Sequence, residues 1–317
     1  MESSETPAVS IITPAYRETK NLPVLFERLK AVFEKINVPW EWIIIDDHSP
    51  DDTFQTICKL AAENDFIHGI RFARNFGSHI AISCGLHQAR GRCAVVMAAD
   101  LQDPPETLPE LLGKWEIGGQ VVWAVREKRE GEKSSTLGFA RLYYWLMRNV
   151  VGMKNMPAEG ADFFLIDRCV IDAFCQFTES NVSILALITW MGFRQETIFY
   201  TKQARLYGKS GWNLDKKLKL TIDSITSFSY FPLRLISYVG LIVGVIGFIY
   251  AAVVIWNTLT HNPPQGWASL MVVVLVLGGL QMMMMGVLGE YMWRTLDQSR
   301  HRPTYLIEAR VGKNIPK

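Results

Sequence analysis

No two cysteines in this sequence are spaced for a metal site or a redox couple. The five, at 58, 84, 93, 169 and 175, are odd in number and form no CxxC. Neither a disulfide framework nor a zinc site is expected, and they read as reduced thiols. A surplus of one charge is also lacking: 33 Lys and Arg face 31 Asp and Glu, a net of +2. That is too little to imply a nucleic-acid partner. The first turn after the opening strand pattern, "TPAYRETKN", contains no glycine, which argues against a dinucleotide-binding oxidoreductase, whose backbone must approach a pyrophosphate there. "YGKSG" at 207–211 resembles the end of a phosphate loop, but Gln203 stands where that pattern needs glycine, and no apolar strand leads into it. Repeats and low-complexity tracts are absent. The polar opening "MESSETP" passes directly into a strand pattern, so no signal peptide is expected.

Apolar residues, by contrast, are plentiful at 49%, and the excess lies toward the C-terminus. Leu235–Trp256 and Trp267–Leu288 carry no charged residue. At about 1.5 Å per residue, each is long enough to cross a hydrocarbon core of roughly 30 Å. Two buried helices of a soluble core are the alternative, but such helices rarely run this far without a polar face. The connector "NTLTHNPPQG" lacks Lys and Arg, whereas Lys216, Lys217, Lys219 and Arg234 precede the first run and Arg294, Arg300 and Arg302 follow the second. This asymmetry predicts an integral inner-membrane protein with two spans and with the large domain and both termini cytoplasmic. Just before the first span, Leu214, Leu218, Ile222 and Ile225 share one helical face. They predict an amphipathic helix, lying either on the bilayer surface or against the soluble domain. Gly240 and Gly244 make a GxxxG step, so close helix packing within or between chains, including a homo-oligomer, stays open.

The first two thirds alternate strand-like and helix-like segments: "VSIITPAY" then "NLPVLFERLKAVFEKI", "EWIIIDD" then "DTFQTICKLAAE", "GIRFAR" then "SHIAISCGLHQA", "CAVVMAAD" then "PETLPELLGKW", then "VVWAVRE". The strands are almost continuously apolar, as when helices cover both faces of a mostly parallel α/β sheet. Ligands collect at the carboxyl ends of such strands. Polar residues stand there: Glu18, Asp46 and Asp47, Arg74 and Asn75, Asp100, and Arg126. Asp103-Pro104-Pro105-Glu106 reads as a helix start.

Taken together, "ITPAYRE", "IIIDDHSPDDT", "RFARNFGSHIAISCGLHQARG", "ADLQDPPE", "GADFFLIDR" and "GEYMWR…RPTYLIE", with two spans before that tail, resemble the polyprenyl-phosphate glycosyltransferases of the family 2, GT-A type. These include the GtrB-like enzymes and relatives of dolichyl-phosphate mannose synthase. The resemblance runs through nearly the whole chain. It implies a GT-A catalytic domain at 1–210, a juxtamembrane amphipathic helix at 211–232, a two-helix membrane domain at 233–293 and a cytoplasmic tail at 294–317. It also implies transfer of a sugar from a nucleotide donor to a lipid phosphate at the cytoplasmic membrane face; the expected donor is a UDP-linked hexose and the expected acceptor undecaprenyl phosphate, with inversion because a single displacement uses no enzyme nucleophile.

The site residues follow from the same resemblance. Asp100 and Gln102 would hold Mg2+ or Mn2+, a hard cation suited to oxygen ligands that absorbs the charge of the leaving diphosphate. Family members often carry a further Asp where this chain has Ala98. Three readings follow: the donor phosphates complete the metal shell, Asp103 compensates, or the site is weakened. Pro14, Tyr16, Glu18 and Asp46 or Asp47 would line the nucleoside pocket, with Arg74 and Asn75 also meeting the donor. Arg126, Arg129, Arg205 and Lys209 are candidates for phosphate contacts on donor or acceptor, since guanidinium forks match phosphate oxygens. Asp162 falls at the position of a catalytic base, although a phosphate monoester, with its second pKa near 6, is already largely ionised at neutral pH. A processive polysaccharide synthase is the first rival, but it would need a QxxRW segment and more spans. A membrane-tethered nucleotide-sugar binder without turnover, suggested by Ala98, is the second.

Overall fold

The computed structural model describes residues 7–127, 145, 147–149, 152, 162–177, 183–203, 229, 231–260 and 266–313. The amphipathic helix expected over 211–232 lies, but for its last residues, outside the described residues. Two compact units emerge: Met1–Ser224 with Pro303–Lys317, and Ile225–Arg302.

In the first unit, strands and helices alternate as the apolar patterning predicts: β1 (Val9–Ala15), α1 (Asn21–Ile36), β2 (Trp40–Asp46), α2 (Thr53–Glu63), β3 (Ile67–Phe72), α3 (Ser78–Gln88), β4 (Cys93–Val96), α4 (Leu108–Glu116) and β5 (Val121–Arg126). Then follow β6 (Phe163–Asp167), α5 (Arg168–Phe174), α6 (Ile184–Trp190) and β7 (Gln195–Tyr200). The sheet order is β7-β5-β6-β4-β1-β2-β3-β8, where β8 is Ile307–Val311. β1, β2, β3, β4, β5 and β7 point one way, while β6 and β8 oppose their neighbours. The mostly parallel sheet is therefore as expected.

Helix α1 shows how sequence becomes packing. Leu22, Leu25, Phe26, Leu29, Val32 and Phe33 are buried at helical spacing, and the helix ends at Asn37, whose left-handed φ of 51° lets its amide reach the Phe33 carbonyl at 2.9 Å. Its buried face stacks Phe26 on Trp42 at 6.1 Å and Phe33 on Trp40 at 4.4 Å. Each such aromatic adds about 1.5–3 kcal/mol of burial. On the sheet, α3 comes so close that a Cβ on Gly85 would lie 2.3 Å from Ile12 Cγ2, so only glycine fits there.

The C-terminal segment differs from its expected role as a tail. Residues 307–311 form the edge strand β8, antiparallel to β3, and the preceding Leu306 carbonyl accepts the Ala73 amide at 2.9 Å. Gly69 on β3 makes room, since a Cβ there would meet Val311 Cγ1 at 2.7 Å and Ile57 Cγ2 at 2.3 Å. The alternation Ile307, Ala309, Val311 carries the signal, but five residues beside an apolar hairpin are easily overlooked.

The second unit is a helical hairpin of α7 (Phe231–Leu259) and α8 (Trp267–Ser299). Leu233–Asn257 and Val272–Ser299 are long and apolar enough to cross a membrane, with mean hydropathies of 2.5 and 2.2 and none of either stretch buried within the protein. The core helices of a soluble domain, by contrast, are mostly buried. Helix α8 continues past the apolar run because "GEYMWRTLDQS" keeps helix-forming residues and a Glu290–Arg294 pair at 3.2 Å, one turn apart. Gly240 faces Met284, 3.6 Å from where its Cβ would stand, whereas Gly244 faces open space. The GxxxG step therefore serves the hairpin at its first glycine only.

Candidate active site at the sheet switch point

The chain leaves β1 toward β2 on one side and returns to β4 on the other, and the paired register of β1 and β4 ends at Ile12 and Val96. Beyond those residues the two strands separate. In open α/β sheets such a switch point makes a crevice at the strand ends. Pro14 suits this place, since it has no N–H to donate and the β4 partner has already gone.

On the β1–β2 side, the structure separates the two neighbouring aspartates. Asp46 is fully buried, accepts the Ser49 amide at 3.0 Å with Oδ1, and leaves Oδ2 without a hydrogen bond. Asp47 accepts the amides of Phe76 and Gly77 at 2.6 and 2.8 Å, and Asn75 Nδ2 donates to its carbonyl at 3.2 Å. Asp47 thus organises the turn into α3, where Gly77 has a φ of 96°. Burial raises both carboxyl pKa values above the ordinary range, with the Ser49 hydrogen bonds opposing at Asp46 and the Phe76 and Gly77 amides at Asp47. Glu18 binds the Asn21 side chain with its carboxylate and the Asn21 and Leu22 amides with its carbonyl, so it begins α1 as well as bordering the crevice. Tyr16 is exposed under the Arg17 guanidinium at 5.3 Å. Arg74 is exposed and stacks on Phe76 at 4.0 Å.

On the β4 side, Asp100 is followed by Leu101, a buried non-glycine residue at a φ of 61°. A left-handed leucine costs energy and persists only where surroundings enforce it. The turn brings the Gln102 amide back to Asp100 Oδ1 at 3.1 Å. Asp103 points inward, buried, and accepts the Tyr200 hydroxyl. One oxygen of Asp103 is thus engaged by Tyr200 rather than left free for a cation.

Because β6 runs antiparallel to β4 and β5, its beginning lies at their ends, with Phe164 opposite Val96 and Phe163 opposite Ala124. Topology alone therefore delivers Asp162 to the crevice, where its exposed carboxylate meets Arg126 Nη2 at 3.5 Å. Arg126 is largely buried. Burial would depress its pKa, but Asp162, Tyr200 and Asp103 outweigh that and raise it, so the guanidinium is firmly charged.

Two residues escape a reading from sequence alone. Lys202 lies just past β7, where Tyr200 is opposite Arg126 and the Gln203 amide donates to the Gln102 carbonyl at 2.9 Å. It is half-buried, and burial with the neighbouring Arg126 lowers its pKa, against the pull of Asp103, Asp100 and Asp162. The missed signal is "QETIFY", whose buried Ile198 and Tyr200 flank exposed Phe199 on an edge strand. His79, in the first turn of α3, has Nδ1 closed from solvent without a hydrogen bond, and burial lowers its pKa against the pull of Asp162. Arg129, Arg205 and Lys209 lie outside the described residues.

Among the described residues, no group of three or more His, Cys, Asp or Glu could hold a metal ion by itself. The oxygens of Asp100 and Gln102 fit a hard cation that draws its remaining ligands from phosphates and water, which is how Mg2+ is commonly bound.

Residues 10–174 match the glycosyl transferase family 2 domain, and residues 231–294 match the GtrB C-terminal hairpin. The chain belongs to glycosyl transferase family 2. Among its relatives, the uncharacterized glycosyltransferase YkcC of Bacillus subtilis (strain 168) is 36% identical over 304 residues, covering 96% of this chain and 94% of that protein. The bactoprenol glucosyl transferase of Shigella phage SfV is 35% identical over 301 residues, covering 95% and 98%. Among solved structures, mannosyl-3-phosphoglycerate synthase from Rubrobacter xylanophilus superposes with a TM-score of 0.51 at 17% identity, over 74% of this chain and 75% of that one. At that identity the likeness concerns the fold. This glycosyltransferase thus combines a GT-A-like catalytic unit with two helices apolar enough to span a membrane.

Proposed function

We propose that this glycosyltransferase moves a hexose from a UDP-sugar onto undecaprenyl phosphate at the cytoplasmic face of the membrane, with inversion at the anomeric carbon. One observation carries the reading: Arg126 and Lys202 converge beside Asp100 and Asp162 at the switch point of a chain that continues into an apolar hairpin. A basic cradle suits a departing diphosphate, and the hairpin suits an acceptor whose tail stays in lipid. The bactoprenol glucosyl transferases among the relatives support the acceptor class.

In the reaction, an oxygen of the lipid phosphate attacks the anomeric carbon from one face as the bond to the nucleoside diphosphate breaks on the other. No enzyme nucleophile intervenes, so configuration inverts. The acceptor is already ionised near neutral pH, so Asp162 has little proton to remove. Held by Arg126, it orients the reacting groups. A divalent cation at Asp100 and Gln102 supplies further charge neutralisation for the leaving phosphates when bound. Tyr16 and Pro14 border the nucleoside, and the buried Asp46 and Asp47 shape that border from behind through the loops they hold.

The topology supports the orientation. Since β8 follows the hairpin and pairs with β3, which precedes it, the segments on the two sides of the hairpin occupy one compartment. That pairing supports an even number of membrane crossings. The basic flanks support a cytoplasmic location for that compartment.

Membranes bearing the protein, incubated with labelled UDP-hexose, undecaprenyl phosphate and Mn2+, test the proposal. Label that extracts into organic solvent and is released by mild acid, and that disappears on chelation or with Asp100→Asn, supports it. High-mass polymer points to a processive synthase. Donor binding without product points to the binder that Ala98 suggests.

A further inference from the structure

Glu308 is the one carboxylate on β8, and it points to the nucleoside side of the crevice. Its Oε2 lies 2.9 Å from Arg71 Nε and 3.4 Å from His48 Nδ1. Arg71, at the end of β3, touches three things besides. Its Nε is 3.8 Å from Asp46 Oδ2, its Nη2 donates to the Ser49 carbonyl at 3.4 Å, and its guanidinium covers the Phe54 ring at 5.5 Å. Asp46 Oδ2 is buried with no hydrogen bond, so Arg71 is the cation that offsets its charge. Ser49 in turn links two loops: its amide binds Asp46 and its hydroxyl accepts the Arg17 amide at 3.0 Å. Arg17 and His48 both hold left-handed φ values, 62° and 57°, conformations that need support from their surroundings.

We propose that Glu308 is a positioning residue for the nucleotide donor: from a strand that follows the apolar hairpin, it braces Arg71, which sets the Asp46–Ser49 loop and, through Ser49, the Tyr16–Arg17 turn. The proposal rests on the reading that these two loops border the nucleoside. The contribution is one of placement. Glu308 and Arg71 are partly exposed, with side-chain exposures of 48% and 25%, and such ion pairs add little to stability. Without Glu308, however, Arg71 has only Asp46 as its acidic partner within the brace. Its long side chain then closes on that carboxylate and carries Ser49 with it, displacing both loops, and small misplacements in a binding site are costly.

The test uses the full chain in lipid nanodiscs. Glu308→Gln is expected to raise the donor KM and the UDP Kd about tenfold, leaving kcat, the acceptor KM and the melting temperature near wild type. Arg71→Gln is expected to weaken UDP at least as much and also to lower the melting temperature, because it leaves the buried Asp46 carboxylate without its offsetting cation; the double variant is expected to match Arg71→Gln, since Glu308 acts through Arg71. Unchanged donor KM and UDP affinity in Glu308→Gln overturns the proposal. So does a parallel rise in both KM values with a fall in melting temperature, which indicates general loosening. Asp47→Asn, run alongside, separates the two claims: if it leaves UDP affinity intact, the nucleoside-pocket reading fails and this proposal with it. If Asp47→Asn weakens UDP and Glu308→Gln does not, only the brace fails.

Discussion

Tyr200→Phe removes one oxygen from the hydrogen bond that ties β7 to the Asp100–Asp103 turn. Asp103 stays buried, at 2% exposure, and loses the hydroxyl it accepts from. Leaving a buried acceptor unsatisfied costs about 1–3 kcal/mol. For a catalytic unit of this size, roughly 2–4 °C per kcal/mol, a value near 2 kcal/mol lowers the melting temperature by about 4–8 °C. The pH dependence has a definite sign. Burial raises the Asp103 pKa, while the Tyr200 hydroxyl, Arg126 and Lys202 hold it down. Relative to the ionised form, Asp103 therefore favours the folded state fully below its unfolded pKa, and this contribution is lost as pH rises through the raised folded value. Removing the hydroxyl raises the folded pKa further, so the deficit of Tyr200→Phe grows with pH through the wild-type folded value and shrinks in acid. Melting curves of wild type and variant across that range measure it directly. A deficit that is flat with pH, or a melting temperature within about 1 °C of wild type against the penalty expected for an orphaned buried acceptor, refutes the reasoning.

Lys202→Gln should lower kcat by roughly 100–1,000-fold, as for loss of one charge-stabilising donor, in single-turnover transfer at saturating donor. Since the Lys202 pKa is lowered, the alkaline fall in wild-type activity should begin below the ordinary lysine range, and Lys202→Arg should move that limb to higher pH. Gly85→Val would drive its side chain into Ile12, where even a Cβ stands 2.3 Å from Cγ2; a loss of about 1–3 kcal/mol or more, typical of overpacking, should appear in chemical denaturation of the catalytic unit. Asp162→Asn should reduce kcat without shifting the acidic limb of the pH–rate profile, because the acceptor phosphate needs no base; disappearance of that limb would restore the base assignment.

The parallel strands β1–β4 and their helices were legible because their apolar runs and amphipathic stripes are long and their ends carry polar residues. Asp100, Asp47 and Arg126 were legible for the same reason: each closes a recognisable strand. What sequence could not supply was pairing. Which partners Asp46 and Asp47 take depends on the amides that the loops present, and no local pattern announces that Phe76 and Gly77 bind Asp47 while Ser49 binds Asp46. Lys202 was hidden because β7 is an edge strand whose exposed Phe199 breaks the buried pattern. β8 was hidden because its partner β3 lies more than two hundred residues earlier in the chain, beyond the reach of any local pattern.

That long-range pairing also constrains biosynthesis. The edge of β3 stays open until residues beyond the hairpin have emerged from the ribosome, so both greasy helices are made before that edge can close. Sealing of the catalytic sheet thus waits for the whole hairpin to be synthesised. A chain cut short before β8 would expose a raw strand edge, a ready target for aggregation and quality control.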